Sequence, residues 1–468
     1  MKLFNILYAI ILLFSFSGAS AQEEVPTLTG KVSLSIKEGT FTCDMTLSNI
    51  PELKDYFIRL NSGMNILHFR SLKPNNFLIG YDRSLKDSTS TGESSAYYFP
   101  GNKGKGKFLP KELRIRYTGK FPVATDTIEN VSRDDWKGNI AFNGYSVRTD
   151  AAQTAWYPML YDIEKDKLYN EVKYDIELQC SDCTTLYVNG NLPVEGTKAS
   201  FKSEIPKELS LYCGDFDFKS SGGTYILNPD LTDEQFTQFC GLTNSYQKYY
   251  EDKIGIPFGG AVTFVNTTPT SARNAWLYVT YPTIFNIGYG ENGLVSLFNP
   301  KIQNWYRPFI AHELGHYYFG TYKVFNSALG DMMSEGFTEY LSLQVTRDIL
   351  GAETYQKKIS DKLKELEGFK PVPFAKVKSK ADYKDRELYV YYYAPLMFTA
   401  IEKEIGREKM WQWLGVLLKT KTDFTNYKFL TQSLEATLQD KTQFESIKSK
   451  YFDSDKSLKN IESALKKA

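Results

Sequence analysis

Histidine is scarce in this chain of 468 residues, which holds three, at positions 68, 312 and 316. Any chemistry that depends on imidazole is therefore restricted to very few places. Charge of one sign is not in excess either, because 56 lysines and arginines face 55 aspartates and glutamates, for a formal net charge of +1. Without a positive field, binding of nucleic acid or of an acidic membrane surface is not expected.

Long apolar runs are confined to the N-terminus, and no later stretch reaches about 18 uninterrupted apolar residues. Lys2 precedes the run LFNILYAIILLFSF, and the small residues Ala19 and Ala21 follow it. A basic start, an apolar run too short for a bilayer span and small residues are typical of a secretory signal peptide. We therefore predict a signal peptide at residues 1–21, export to the periplasm or outside the cell, and no transmembrane segment in the mature chain.

Cysteine is sparse, with five residues at positions 43, 180, 183, 213 and 240. An exported chain permits disulfides, but the odd number leaves one thiol over. Cys180-Ser-Asp-Cys183 lies between two alternating runs, where a hairpin turn is expected, and no second pair or nearby histidine completes a zinc set. A turn, which a disulfide could close, is favoured over a metal or redox site.

Two patterns divide the chain. From about residue 25 to 220, apolar and polar residues alternate in runs such as KVSLSI and FTCDMTL, which predicts antiparallel sheet. The polar stretch FKSSGG at 218–223 comes next, and helical periodicity dominates further on, with Thr232 as a candidate N-cap. We predict a multi-domain α+β protein, with an antiparallel β domain of sandwich or saddle type at 22–220. A mixed α/β domain that ends in helices is predicted at 221–468.

Two of the three histidines lie in the stretch IAHELGHYYFG. Residues four apart lie on one face of a helix, so His312 and His316 can bind a single ion. Glu313 is turned aside, where it can take a proton from a water on that ion. After a gap of 18 residues comes Glu335, in a second predicted helix. It supplies the third protein ligand that a catalytic zinc needs beside its water, so we predict one Zn²⁺ held by these three residues.

Two alternatives stay open at this point. The histidines could lie on the surface of a helix without binding a metal. Glu339, one turn beyond Glu335, could either accept a hydrogen bond that orients a histidine ligand or lie on a solvated helix face.

These motifs resemble the gluzincin pattern of peptidase family M1, the aminopeptidase N and leukotriene hydrolase group. The stretch from His312 to His316, the 18-residue gap and Glu335-Gly336-Phe337 are similar to the zinc motif of the family, and Phe319-Gly320 resembles its ending. The resemblance implies a thermolysin-like catalytic domain with one zinc ion and peptide substrates.

The stretch from Gly288 to Asn292, GYGEN, is similar to the Gly-x-Met-Glu-Asn strand of the family. The resemblance implies that Glu291 binds the free α-amine of a peptide and that Gly288 and the backbone beside it hold the peptide chain. The stretch LYVYYYAPLMFTAIEKEIG resembles the segment with the catalytic tyrosine, which implies that Tyr391 donates a hydrogen bond to the oxyanion. Ala394 replaces the family's glycine there.

Other positions depart from the family. Ser342 stands where an acidic residue is expected, a substrate-binding glutamine has no clear counterpart, and we expect no large C-terminal helical domain over the cleft. We predict a secreted zinc metallopeptidase, favoured as an aminopeptidase in which Glu313 is the general base. The alternatives are an open-cleft endopeptidase of thermolysin type and a peptide-binding protein that keeps the zinc site without turnover.

Overall fold

The computed structural model describes residues 25–73, 76–84, 94–100, 109–124, 140–268, 276–288 and 293–466. The predicted signal peptide at 1–21 and Glu291 lie outside these residues. The described chain forms two compact units, which are divided in the sequence between Asp215 and Phe216. The sequence-based prediction set the boundary after residue 220.

Unit 1 consists of β-sheets. Its strands are β1 (Thr27–Ser35), β2 (Thr40–Ser48), β3 (Tyr56–Asn61), β4 (Met64–Ser71), β5 (Leu78–Ile79), β6 (Asp82–Ser84), β7 (Ser94–Tyr98), β8 (Leu113–Lys120), β9 (Ala141–Phe142), β10 (Ser146–Arg148), β11 (Met159–Asp162), β12 (Lys167–Tyr169), β13 (Val172–Cys180), β14 (Thr185–Val188), β15 (Val194–Glu195), β16 (Lys198–Lys207) and β17 (Leu211–Gly214). A seven-stranded sheet has the order β16-β13-β1-β2-β8-β4-β5, and two five-stranded sheets have the orders β15-β14-β17-β10-β9 and β12-β11-β3-β7-β6. Strands β1 and β13 pair in parallel, and their sheet is otherwise antiparallel among the described strands.

The alternating pattern of the sequence explains how unit 1 acquires its core. In β8, Leu113 and Ile115 are buried while Arg114 between them is more accessible. Successive residues of a strand point to opposite faces, so a period of two gives each strand one apolar face. The apolar faces of the three sheets share one core, as Met45, Ile58 and Leu186 illustrate.

The turn after β13 carries the Cys-x-x-Cys stretch. A disulfide joins Cys180 to Cys183, while the other three cysteines are buried and free. Asp182 between them accepts hydrogen bonds from Ser35 Oγ at 2.7 Å and from the backbone N–H groups of Ile36 and Lys37 at 3.0 Å. The motif is a closed turn that holds the β1–β2 connection, as the sequence favoured.

Unit 2 begins with a five-stranded sheet. Its strands are β18 (Phe218–Ser221), β19 (Thr224–Leu227), β20 (Val262–Thr267), β21 (Trp276–Thr280) and β22 (Thr283–Ile287), in the order β18-β19-β20-β22-β21. Strand β20 pairs in parallel with β19 and β22, whereas β18 and β21 pair antiparallel with their neighbours.

Helices make up most of the remainder. They are α1 (Asp233–Ile254), α2 (Gln303–Gly315), α3 (Gly330–Val345), α4 (Ala352–Glu365), α5 (Ala394–Ile405), α6 (Arg407–Lys419), α7 (Tyr427–Leu438), α8 (Lys441–Ile447) and α9 (Ser457–Leu465). Single π-helical turns cover Thr346–Leu350, Leu388–Tyr393 and Lys448–Phe452, while Tyr317–Tyr322 is interrupted by non-helical backbone at Phe319 and Gly320. Short 3₁₀ turns cover Leu294–Phe298, Phe374–Lys376 and Lys380–Tyr383, and one more, Ala151–Gln153, lies in unit 1. Thr232 caps α1 as expected, in a reciprocal capping box with Gln235.

Glycines allow the helices around the candidate site to approach closely. A Cβ added to Gly315, at the end of α2, would lie 3.1 Å from Thr338 Cγ2 of α3. A Cβ added to Gly336 of α3 would lie 2.8 Å from the Cβ of Ala394, where α5 begins. Because real Cβ atoms do not approach so closely, a side chain at Gly336 would force α3 and α5 apart.

The predicted α+β architecture, with antiparallel sheets followed by a helical region, is confirmed. Within the described residues, no helix has both the length and the apolar character needed to cross a membrane.

Candidate metal centre and active site

The three predicted metal ligands converge in unit 2. His312 lies in the last turns of α2, His316 immediately follows that helix, and Glu335 comes from α3. Oε2 of Glu335 lies 3.3 Å from Nε2 of His312 and 3.4 Å from Nε2 of His316. The candidate ligand atoms of the three residues all lie within 4.8 Å of one another. Two imidazole nitrogens and one carboxylate oxygen therefore face a common point.

The state of Glu335 tests whether these residues fit a cation. Its Oε2 atom is buried and has no hydrogen-bond partner. A buried polar atom left unsatisfied costs about 1–3 kcal/mol, and more for a charged group. A cation between the three ligand atoms would remove that cost. Two imidazoles and one carboxylate, with a fourth position for water, are a donor set of catalytic zinc sites, so the residues present fit this ion.

Electrostatics in the cluster favour positive charge between the ligands. Burial opposes the charge of Glu335, yet His316 and His312 hold the pKa of its carboxyl well below the usual range. Burial also opposes a charged His312, but the neighbouring carboxylates of Glu335 and Glu339 raise the pKa of His312 to about 10. Metal ions compete with protons for the same ligand atoms, so a site that attracts protons this strongly also suits a cation.

Glu339 contacts the far side of one histidine ligand. Its Oε2 lies 2.8 Å from Nδ1 of His312, and its Oε1 lies 2.7 Å from Nζ of Lys362. Burial opposes the charge of Glu339, but Lys362 and His312 lower its pKa to about 2. An ionised acceptor on Nδ1 leaves Nε2 of His312 free for a metal. Of the two roles left open by the sequence, the structure favours orientation of the histidine over a solvated face.

Glu313 occupies the position expected of a general base. It follows His312 on α2, and 8% of it is exposed. Burial raises the pKa of its carboxyl above the usual range, although His312 and His316 act in the opposite direction. A carboxyl group whose pKa is raised toward neutrality can both accept and return a proton, which is what general acid–base catalysis requires.

Tyr391 is the tyrosine of its segment that faces the metal ligands. Its ring centroid lies 5.8 Å from that of His312. The hydroxyl of Tyr389 instead donates to the carbonyl of Val372 at 2.7 Å, and that of Tyr393 is bonded to Ser457 Oγ. Burial, assisted by the nearby charge of Glu335, raises the pKa of Tyr391, so its phenol stays protonated at neutral pH and can donate a hydrogen bond.

Of the two predicted substrate-binding residues, the structure describes Gly288 but not Glu291. Gly288 directly follows β22, where its N–H donates to Thr267 O at 2.6 Å and its carbonyl accepts from Asn286 Nδ2 at 2.8 Å. The N–H that could hold a peptide is thus already used, and the carbonyl has one lone pair left. Glu291 lies outside the described residues.

No protein-family model matches this sequence, and no curated protein matches it. Its structure matches the M1 zinc metallopeptidase from Deinococcus radiodurans, solved as a glutamate-to-alanine mutant bound to a Tyr-Ser-Ala substrate. The TM-score is 0.57 and the identity 14%, over 91% of this chain and 93% of that one. Yeast LTA4 hydrolase in complex with bestatin matches with a TM-score of 0.60 and 11% identity, over 90% of this chain and 66% of the yeast chain. This chain has the fold of the M1 zinc metallopeptidases.

Within this M1 fold, sequence reasoning missed Asp331 and Arg386. Arg386 donates two hydrogen bonds of 2.7 Å to the carboxylate of Asp331, and its Nη2 lies 3.5 Å from Oε1 of Glu335. Its guanidinium also lies 5.5 Å from the centre of the Tyr391 ring. Arg386 therefore contacts the carboxylate oxygen of Glu335 that points away from the histidines. The position of Asp331, one turn before Glu335 on α3, was a usable signal, whereas nothing local indicates Arg386.

We predict that Glu339→Gln weakens metal binding about 10- to 100-fold, because the amide is a poorer acceptor for Nδ1–H of His312 and leaves Lys362 without its counterion. Glu335→Ala, which removes a ligand, should lose the metal altogether. Competition with a chromophoric chelator measures both. Glu353→Gln, an exposed position on α4, is the matched control. Equal affinity of Glu339→Gln and the control would contradict the orienting role.

Proposed function

We propose that this protein is a zinc-dependent metallopeptidase that removes N-terminal residues from peptides. The observation that carries the proposal is the convergence of His312, His316 and Glu335 around an otherwise unsatisfied buried carboxylate oxygen. Glu313 and Tyr391 beside them supply a proton carrier and a hydrogen-bond donor. The similar solved structures include one bound to a Tyr-Ser-Ala substrate and one bound to bestatin, which supports a peptide-binding cleft.

The positions of these side chains support a distinct role for each of them. Zinc held by the three ligands would polarise a scissile carbonyl and lower the pKa of water to about 7. Glu313 takes the proton of the attacking water and then delivers it to the leaving amine. The Tyr391 hydroxyl donates a hydrogen bond to the oxygen of the scissile carbonyl as negative charge develops there. Burial of these groups excludes bulk water and strengthens both interactions.

The choice of an aminopeptidase rests on Glu291, whose carboxylate would pair with the α-ammonium group of the substrate. The resemblance of GYGEN to the M1 motif supports this role. The runner-up, an endopeptidase with an open cleft, uses the same zinc site and needs no amine recognition. The two differ in the substrate they require and not in the chemistry of hydrolysis.

Glu313→Gln tests the mechanism. The amide cannot take up the proton, so kcat should fall by about 10²–10⁴ on an aminoacyl-amide substrate. Elemental analysis should still find one zinc per chain, because Glu313 is not a ligand. Full activity with zinc bound would reject the mechanism, and Glu353→Gln controls for a carboxylate lost elsewhere.

Substrate blocking tests the amine recognition. Acetylation of the α-amine removes the positive charge that Glu291 would bind, so an N-acetylated peptide should be cleaved at least about 100-fold more slowly than the free peptide. Liquid chromatography of the products gives both rate and cleavage position. Equal cleavage of the two peptides at an internal bond would leave the zinc chemistry intact and replace the aminopeptidase with the endopeptidase.

We also propose that the protein is exported. The basic start, apolar run and small residues of 1–21 support a signal peptide that is removed after Ala21. N-terminal sequencing of the mature protein should then begin at Gln22, and a mature chain that retains Met1 in the cytoplasmic fraction would refute export.

A further inference from the structure

Lys362, on α4, links two parts of the site that the mechanism treats separately. Its Nζ lies 2.7 Å from Oε1 of Glu339 and donates to the backbone carbonyl of Tyr391, also at 2.7 Å. The same ammonium lies 4.7 Å from the centre of the Tyr392 ring. Only 11% of the Lys362 side chain is exposed. A charged group this buried requires specific partners, and these three account for its position.

Proline removes the α-helical hydrogen-bond partner of the Tyr391 carbonyl. In an α-helix it would accept from the N–H group four residues later, which is position 395. That residue is Pro395, at the start of α5, and proline has no N–H. The π-helical turn Leu388–Tyr393 ends just before this point. The ammonium of Lys362 thus takes the place of the donor that the proline removes.

The Lys362 ammonium is in turn fixed by Glu339. One oxygen of this carboxylate faces Nδ1 of His312 and the other faces Lys362, so a single side chain connects a metal ligand with the donor to Tyr391. Hydrogen bonds to charged groups are stronger than neutral ones and more restrictive in direction. The position of the Tyr391 backbone therefore depends on the position of His312, through Glu339 and Lys362.

We propose that Lys362 is a positioning residue, which holds the Tyr391 segment in register with the metal ligands by replacing the N–H that Pro395 lacks. Its catalytic consequence rests on the proposed function, because only there does the Tyr391 hydroxyl act on a substrate. The structural part of the proposal, the ordering of the Tyr391 segment, does not depend on the proposed function.

Hydrogen exchange on metal-free protein tests the structural part. Lys362→Met keeps the length of the side chain and removes the donor, so amides in the peptide covering 388–396 should exchange at least about tenfold faster, as expected when a structural hydrogen bond is lost. Lys357→Met, an exposed position on the same helix, should leave this peptide unchanged. Lys362→Arg, which keeps charge and donors, should protect the segment better than Met does. If Lys362→Met does not fold by circular dichroism, Lys362→Leu, which also lacks a donor, takes its place.

A second substitution identifies the carbonyl as the point of action. Pro395→Ala supplies the missing N–H, so in the Lys362→Met background it should restore much of the protection of 388–396. If Lys362→Met leaves the exchange unchanged, or if Pro395→Ala restores none of the lost protection, the proposal is overturned, whatever the enzyme activity.

Kinetics on zinc-loaded protein test the consequence. Lys362→Met should lower kcat about 10- to 100-fold with KM changed by less than about threefold, because the oxyanion donor is misplaced while substrate contacts remain. In a Tyr391→Phe background, which has no hydroxyl to misplace, the same change should have little further effect on kcat. Full additivity of the two would contradict the link between Lys362 and Tyr391. A wild-type enzyme without peptidase activity would instead refute the proposed function and leave the exchange result standing.

Discussion

The rest of the site depends on one unsatisfied atom, Oε2 of Glu335. This carboxylate oxygen is buried, faces two imidazole nitrogens and has no hydrogen-bond donor. Such an arrangement is costly unless a cation completes it, so the surrounding structure must hold the ligands against relaxation. Helix packing supplies that rigidity. Gly315 and Gly336 let α3 approach α2 on one side and α5 on the other, which brings the carboxylate to the histidines and Tyr391 to the carboxylate.

Alternating charges extend outward from two of the three ligands. On one side, Glu335 is followed by Arg386 and Asp331, and on the other, His312 is followed by Glu339 and Lys362. Glu335 and His312 are thereby each fixed at the atom that points away from the metal position. Buried charges are tolerated when every member has an opposite partner, and a chain of this kind transmits the loss of one member to its neighbours. Each chain contains one residue that sequence motifs do not reveal, Arg386 in the first and Lys362 in the second.

Features that depend on local spacing were predictable. Alternation predicted the sheets of unit 1, and the four-residue spacing of His312 and His316 predicted a shared face, because both periods are properties of the backbone alone. The prediction of Glu335 as a ligand required only that a second helix follow His316 after a gap of 18 residues. The contacts of Lys362 and Arg386 were not predictable, because they depend on how separate helices pack. The resemblance selected Tyr391 among the neighbouring tyrosines, and the structure adds that the hydroxyl groups of Tyr389 and Tyr393 are bonded elsewhere.

The face of α3 that meets α2 explains why the departure at Ser342 does not remove the orienting carboxylate. Glu335, Glu339 and Ser342 follow one another at helical spacing, so they line one stripe of the helix. Ser342 donates to the carbonyl of Pro308 and so joins the two helices, while Glu339, one turn earlier, carries the charge that meets Nδ1 of His312. The physical requirement is an ionised acceptor at that nitrogen, and Glu339 meets it. The absence of an acid at 342 therefore leaves the hydrogen bond between Glu339 and His312 in place.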